Sequence, residues 1–220
     1  MPPCVVAIDG AAGSGKSTLA RALSIALGLA YVNTGLMYRA LAAAALRSRV
    51  SPDDAPALVE LMASLSFRVI EGTPPTMEVE GYGGEELTSL EVERTVSEVA
   101  AHPAVRGAMR EAQRTIGLAD GAVMEGRDIG SVVFPEAPVK LFLVADLAAR
   151  ADRRAEERPH DDETVAAELR ARDDADARTN PFVAPEGAEV MDTGALSIEE
   201  TLQEALRLVE ARAPWLRGGS

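Results

Sequence analysis

The chain has 220 residues, 35 acidic against 22 basic side chains for a formal net charge of −13, a single cysteine and 47% hydrophobic residues. Length and composition fit one globular domain with a sizeable core and exclude a disordered chain; the longest unbroken apolar run, Ala40 to Leu46, is far too short to span a membrane. The negative charge argues against non-specific nucleic-acid binding, which draws on basic side chains, and Cys4 alone makes neither an intrachain disulfide nor a cysteine-built metal site.

Met1-Pro2-Pro3-Cys4-Val5 shows no basic segment ahead of an apolar one, so no secretory leader is expected and a cytoplasmic protein is. Val5 to Ile8 is a short apolar run that meets Asp9-Gly10, predicting a buried strand that ends in a loop. From Lys16 to Leu27 the residues Leu19, Ala20, Leu23, Ala26 and Leu27 recur at helical spacing, with Gly28 as the stop. Leu29 to Val32 predicts a second strand, Leu36 to Arg47 an alanine-rich helix, and Ala55 to Leu65 another. Ser66 to Glu71 and Thr76 to Glu80 alternate on either side of Gly72-Thr73-Pro74-Pro75, which predicts a small antiparallel sheet inserted between helices.

Leu90 to Ala100 and Ala104 to Ile116 read as helices parted by Pro103, and Ala122 to Met124 and Val139 to Val144 as strands. Asp146 to Asp176 is dense in alternating charge, by default a solvated helical face. Glu189 to Met191 is a last strand. Ser197-Ile198-Glu199-Glu200 then has capping-box spacing ahead of Ile198, Leu202, Leu206 and Val209, and Gly218 to Ser220 reads as a frayed tail. Strands alternating with helices predict a parallel α/β sheet covered on both faces. His102 and His160 have no ligand-like partner nearby and read as surface residues.

Gly10-Ala11-Ala12-Gly13-Ser14-Gly15-Lys16-Ser17-Thr18 matches the pattern G-x-x-x-x-G-K-[ST] between a strand and an amphipathic helix. Glycines let successive backbone amides turn toward a polyphosphate, and the helix aims its positive dipole end the same way. Lys16 would then meet the β/γ-phosphates and the Ser17 hydroxyl a Mg²⁺ ion. The chain has only two lysines, Lys16 and Lys140. The motif leaves open whether the nucleotide is hydrolysed or its phosphoryl group transferred.

Transfer needs a second, basic pocket. Thr34-Gly35-Leu36-Met37-Tyr38-Arg39 follows the second strand, and Glu125-Gly126-Arg127-Asp128 another strand end, on the edge where open α/β sheets hold ligands. Arg127-Asp128 is either an ordinary surface ion pair or part of a site; its position at a strand's carboxyl end favours the site.

These segments, with Ile8-Asp9-Gly10, Asn33-Thr34-Gly35-Leu36-Met37-Tyr38-Arg39, Glu125 to Pro135 and Arg172-Asp173-x-x-Asp176, resemble the bacterial cytidylate kinases in order along nearly the whole chain. The resemblance implies a three-layer P-loop kinase with a five-stranded parallel sheet, an inserted antiparallel acceptor-binding subdomain and a short helical lid. Core is then expected over residues 1–33, 104–149 and 179–220, the acceptor-binding insertion over 34–103 and the lid over 150–178. It implies transfer of the γ-phosphoryl of ATP to CMP or dCMP, with Mg²⁺ as cofactor and a monomer as the working unit.

By the same resemblance Thr34 stands near the acceptor and Arg39 grips its phosphate, while Ser97, Arg106 and Asp128 address the cytosine edge. An aspartate accepting from the exocyclic amine of cytosine would face an acceptor in uracil. Without the resemblance, Ser97 and Arg106 read as solvent-facing helix residues. Arg127 corresponds to a contact with the transferring or acceptor phosphate, Arg172 and Asp176 to the acceptor ribose, and Arg153 and Arg154 to the lid's arginine cluster. The chain departs from the family where Asn33 replaces a more usual aspartate, and where Arg178 falls two residues after Asp176, ahead of Asn180-Pro181-Phe182, in place of an arginine three residues on. The rivals are another small-molecule P-loop kinase and a regulatory NTPase. A guanine-reading Asn-Lys-x-Asp segment is missing, since Lys140 sits in Val139-Lys140-Leu141.

Overall fold

The computed structural model describes residues 3–157, 166–167, 169–170, 173–174 and 183–217. Among these, seven strands form one sheet: β1 (Val5–Gly10), β2 (Ala30–Asn33), β3 (Phe67–Ile70), β4 (Thr76–Val79), β5 (Ala122–Gly126), β6 (Val139–Val144) and β7 (Glu189–Asp192), ordered β3-β4-β2-β5-β1-β6-β7. The helices are α1 (Lys16–Leu27), α2 (Thr34–Ser48), α3 (Ala55–Ala63), α4 (Leu90–Ala101), α5 (Pro103–Ala119), α6 (Leu147–Glu157) and α7 (Ile198–Arg212). No described helix is long and apolar enough to cross a membrane.

Strand β1 is buried throughout, paired in parallel with β5 from Val5↔Ala122 to Asp9↔Gly126 and with β6 from Val6↔Val139 to Gly10↔Leu143. A strand covered on both faces has no polar side, which is why β1 and β6 read as unbroken apolar runs. Their side chains still alternate. Val5 and Ala7 join Met37 and Leu41 of α2, Leu58 of α3 and Met109 of α5 in one core. Val6 and Ile8 join Leu19 and Leu23 of α1, Leu141 and Leu143 of β6 and Val209 of α7 in the other. The sheet is thus sandwiched between two helical layers, a three-layer α/β fold.

The strands β2-β5-β1-β6-β7 match the expected five-stranded parallel sheet, but the hairpin β3–β4 is not a separate small sheet, and β4 runs parallel to β2 as a sixth parallel strand. The hairpin extends the main sheet, with β4 beside β2 at Tyr31↔Thr76 and the Tyr31 N–H donating to the Pro75 carbonyl at 2.8 Å. The reason is the exposed edge of β2, whose main-chain groups need partners on the side away from β5. Helix α2 starts two residues before the spacing suggests, because the Asn33 side chain caps it by accepting from the Leu36 N–H at 3.3 Å. The Ser197 capping box forms in both directions at the start of α7. Unexpected from the sequence are a 3₁₀ turn at Gly84–Thr88 and a single wide π turn at Ile129–Val133. Residues 218–220, expected to fray, lie outside the described residues.

The parallel strands β2, β5, β1, β6 and β7, and β4 beside them, point their carboxyl ends to one edge. There the chain places the glycine loop after β1, Thr34 after β2, Arg127-Asp128 after β5, α6 after β6 and Thr193 after β7.

Candidate active site

The loop from Gly10 to Thr18 carries β1 into α1. Gly10 leaves the strand at φ 152°, and a Cβ there would lie 2.5 Å from the Leu143 carbonyl oxygen, so the approach to β6 admits only glycine. Gly15 caps α1 in the left-handed region (φ 86°) without a side-chain bond, and no acidic residue stands in the first turn. The first amides of α1 and its positive dipole end therefore face the loop, the arrangement that takes up phosphate. Lys16 reaches back across the loop to donate from Nζ to the Ala11 carbonyl at 2.6 Å. Ser17 and Thr18 are exposed on the first turn beside it.

A cavity of about 530 Å³ opens over Gly13, Gly15, Lys16, Ser17 and Thr18 and ends against Leu196 and Ile198. Arginines of α6 close on it. Arg153 donates from Nη1 to the Gly13 carbonyl at 3.5 Å and to Thr193 Oγ1 at 3.2 Å, and from Nη2 to the Thr193 carbonyl at 2.5 Å. Arg150 donates to the Ala12 carbonyl at 3.1 Å and pairs with Asp173 at 2.7 Å. Thr193 in turn donates to the Ser14 carbonyl at 2.9 Å. Sequence reasoning named Arg153 but gave no site role to Thr193, Leu196 or Ile198; their position after the last strand was the available signal.

Glu125 was named in the sequence only as the start of its segment, without a role of its own. It is buried at the end of β5 and accepts from the Tyr31 phenol at 2.6 Å, while the Asn33 amide donates to the same phenol at 3.4 Å. Burial, then the Glu125 charge, pushes the Tyr31 phenol upward, so it stays a donor. An acid closing an otherwise apolar strand was the sequence signal.

On the other side of β5, Arg106 of α5 and Asp128 form an ion pair on the wall of a pocket of about 330 Å³ that also involves Tyr38, Arg110 and Gln113. The Tyr38 phenol is pushed up to about 12 by burial and by Asp128. Thr34 is buried, its hydroxyl donating to the Glu125 carbonyl at 2.7 Å. Arg39 donates to the Leu87 carbonyl at 2.8 Å and pairs with Glu93 at 3.0 Å. Arg127 is half-buried at the end of β5, and Ser97 half-buried on α4; neither is among the residues that wall the pocket. Arg172, Asp176, Arg178 and His160, and the side chain of Arg154, lie outside the described residues. His102, expected at the surface, is half-buried, with its Nε2 2.7 Å from the Pro52 carbonyl.

Asp9, near the end of β1, is 1% exposed and accepts from the Ile129 and Gly130 amides at 2.7 Å each. Burial raises its carboxyl to about 6; the two amides and Lys16 oppose that shift and Asp128 adds to it. Folding therefore raises the affinity of this carboxyl for its proton. The resulting stability is fully present below pH 4, the unfolded value, and is lost as pH climbs through 6. A carboxyl ¹³C resonance with a midpoint near 6, absent from Asp9→Asn, is the expected observation.

The family model for cytidylate kinase matches residues 6–211. A cytidylate kinase of Exiguobacterium sp. is 38% identical, over 93% of this chain and 96% of its own. One from Chlamydia caviae is 39% identical, over 96% of this chain and 100% of its own. A crystal structure from Thermus thermophilus superposes with a TM-score of 0.50 at 24% identity, over 97% of this chain and 99% of that one, a likeness of fold. A glycine loop opening α1, a second pocket across β5 and a full-length match together lead to one statement: the chain belongs to the cytidylate kinase family.

Proposed function

We propose that this protein transfers the γ-phosphoryl group of ATP to the 5′-phosphate of CMP or dCMP, giving ADP and CDP or dCDP. The observation that carries this reading is the pair of pockets on one sheet edge, a phosphate loop and an Arg106–Asp128 wall, in a chain of this family. ATP would lay its phosphates along Gly10 to Thr18, with the base toward Leu196 and Ile198. Arg39 and Arg127 would hold the acceptor phosphate, and Asp128 would accept from the cytosine amine, flanked by Arg106 and Ser97. Thr34 would border the acceptor with its remaining lone pairs, and Arg172, Asp176 and Arg178 would reach the acceptor ribose and phosphate.

The acceptor phosphate is already a competent nucleophile, so the chain need supply no strong base. Its work is alignment and charge neutralisation by Lys16, Arg127 and Arg153. The exposed Ser17 hydroxyl and the Glu125 carboxylate are hard oxygen groups that fit Mg²⁺. Among the described residues no cluster of three or more His, Cys, Asp or Glu forms a metal cage, so the phosphates would complete the coordination. Held by these groups, Mg²⁺ would supply charge neutralisation at the phosphates. Residues 34–103 would serve the acceptor and 150–178 form the lid, whose described start already sets Arg150 and Arg153 against the loop.

A coupled assay of ATP against CMP, dCMP, UMP and AMP tests the reading. CMP or dCMP should exceed UMP in kcat/KM by about 10–10²-fold, since a mismatched acceptor costs about 1–3 kcal/mol. Equal rates for all four point to a different small-molecule kinase, and slow hydrolysis without transfer to a regulatory NTPase.

A further inference from the structure

Asp9 takes no part in the phosphate chemistry above, yet it joins the glycine loop to the turn whose Val132 and Val133 line the second pocket. Its neighbour Gly10 opens the phosphate loop, and Asp9 itself is in register with Gly126, just before Arg127-Asp128. The amides it binds, Ile129 and Gly130, are the first two of the wide turn Ile129–Val133. The residue that precedes this turn is Asp128, at φ −147° and ψ 29°, and its side chain makes no cap bond. An aspartate there ordinarily folds its carboxylate onto the amides that follow. Here those amides are already held by a carboxylate 120 residues earlier in the chain. The Asp128 carboxylate turns outward instead, onto Arg106 and the pocket wall.

We infer that Asp9 is a positioning residue: by capping the Ile129–Val133 turn from the neighbouring strand, it releases the Asp128 carboxylate to the acceptor base and fixes Arg127-Asp128 relative to the phosphate loop. The inference rests on the reading of the second pocket as the cytosine site. The groups facing Asp9 agree with it. Two amides donate to the carboxylate, Lys16 attracts it and Asp128 repels it, so the two aspartates are held apart with separate partners.

Asp9→Asn preserves the shape but turns an NH₂ group toward one of the two backbone donors, losing one bond and opposing donor to donor. The KM for CMP should rise about tenfold and the CMP-over-UMP ratio in kcat/KM fall about tenfold, with the KM for ATP within about threefold. Asp128→Asn should lower the same ratio, and adding Asp9→Asn to it should lower it no further, because Asp9 acts through Asp128. Gly130→Ala presses on the same contact from outside: its Cβ would lie 3.2 Å from Asp9 Oδ2 and 3.3 Å from the Lys140 side chain. A smaller change in the same direction is expected there, and this variant carries the test if Asp9→Asn does not fold. The inference is overturned if Asp9→Asn weakens ATP and CMP alike, if discrimination is unchanged in the folded variants, or if Asp9→Asn and Asp128→Asn add. A parent enzyme that fails to prefer CMP over UMP defeats the cytosine reading instead, so the two failures are told apart.

Discussion

Lys16→Ala should lower kcat by about 10²–10³-fold, the cost of removing one preorganised charge from a phosphoryl-transfer site. The ammonium lies on the loop itself, 2.6 Å from the Ala11 carbonyl, at the point where α1 begins. Incoming β- and γ-oxygens would replace that carbonyl as its partner, and the attraction grows as charge shifts to the bridging oxygen. Lys140, the other lysine, donates to the Glu186 carbonyl away from the loop, and Arg153 is held by Thr193. Lys16 belongs to neither core cluster, and alanine suits the first turn of a helix, so the circular dichroism spectrum and melting curve should be unchanged. A variant whose KM for ATP rises while kcat stays within about threefold would show that Lys16 only anchors the ground state.

Arg39→Ala should raise the KM for CMP by about 10–10²-fold, the range of one or two charge-assisted bonds to a phosphate, while the KM for ATP moves by less than about threefold. The Arg39 side chain is 12% exposed and its guanidinium is clamped between the Leu87 carbonyl and Glu93, which fixes its plane before any acceptor arrives. Arg39→Lys should recover only part of the loss, because a point charge cannot repeat the two-pronged grip. The same contacts supply the competing explanation, that Arg39 is a strut between α2 and α4. Glu93→Gln separates the two, weakening the strut while leaving the guanidinium in place. If Glu93→Gln and Arg39→Ala raise the requirement for CMP equally, or if Arg39→Ala affects ATP as much as CMP, the phosphate-gripping role fails.

The two substitutions also differ in how visible their targets were in the sequence. Lys16 stands inside a contiguous motif whose loop and helix are set by residues within a few positions of one another. Arg39 was found one turn into a helix and acquired a role only by resemblance; its partners Leu87 and Glu93 lie 48 and 54 residues away. The expected inserted sheet shows the same division. Its two strands were readable from alternation and the Pro-Gly turn, but their attachment to β2 depends on which main-chain edge is left open in space. The wide turn after Asp128 was invisible for a related reason, since the side chain that caps it belongs to β1.

What the sequence determined by itself is therefore everything governed by short periods: the apolar strands, the helical spacing of α1, the Ser197 capping box and the glycine loop with its lysine. These depend on backbone torsions and on hydrogen bonds that close within one turn or one strand, so neighbouring residues suffice to specify them. Only the tertiary structure decided that β1 lies between β5 and β6, that Arg153 folds onto Gly13 from 140 residues away, that Tyr31 meets Glu125 across 94, and that Asp9 holds Ile129. Each of those contacts follows from strand order, which is settled by how buried surfaces fit together across the whole sheet and leaves no periodic trace in the residues that take part.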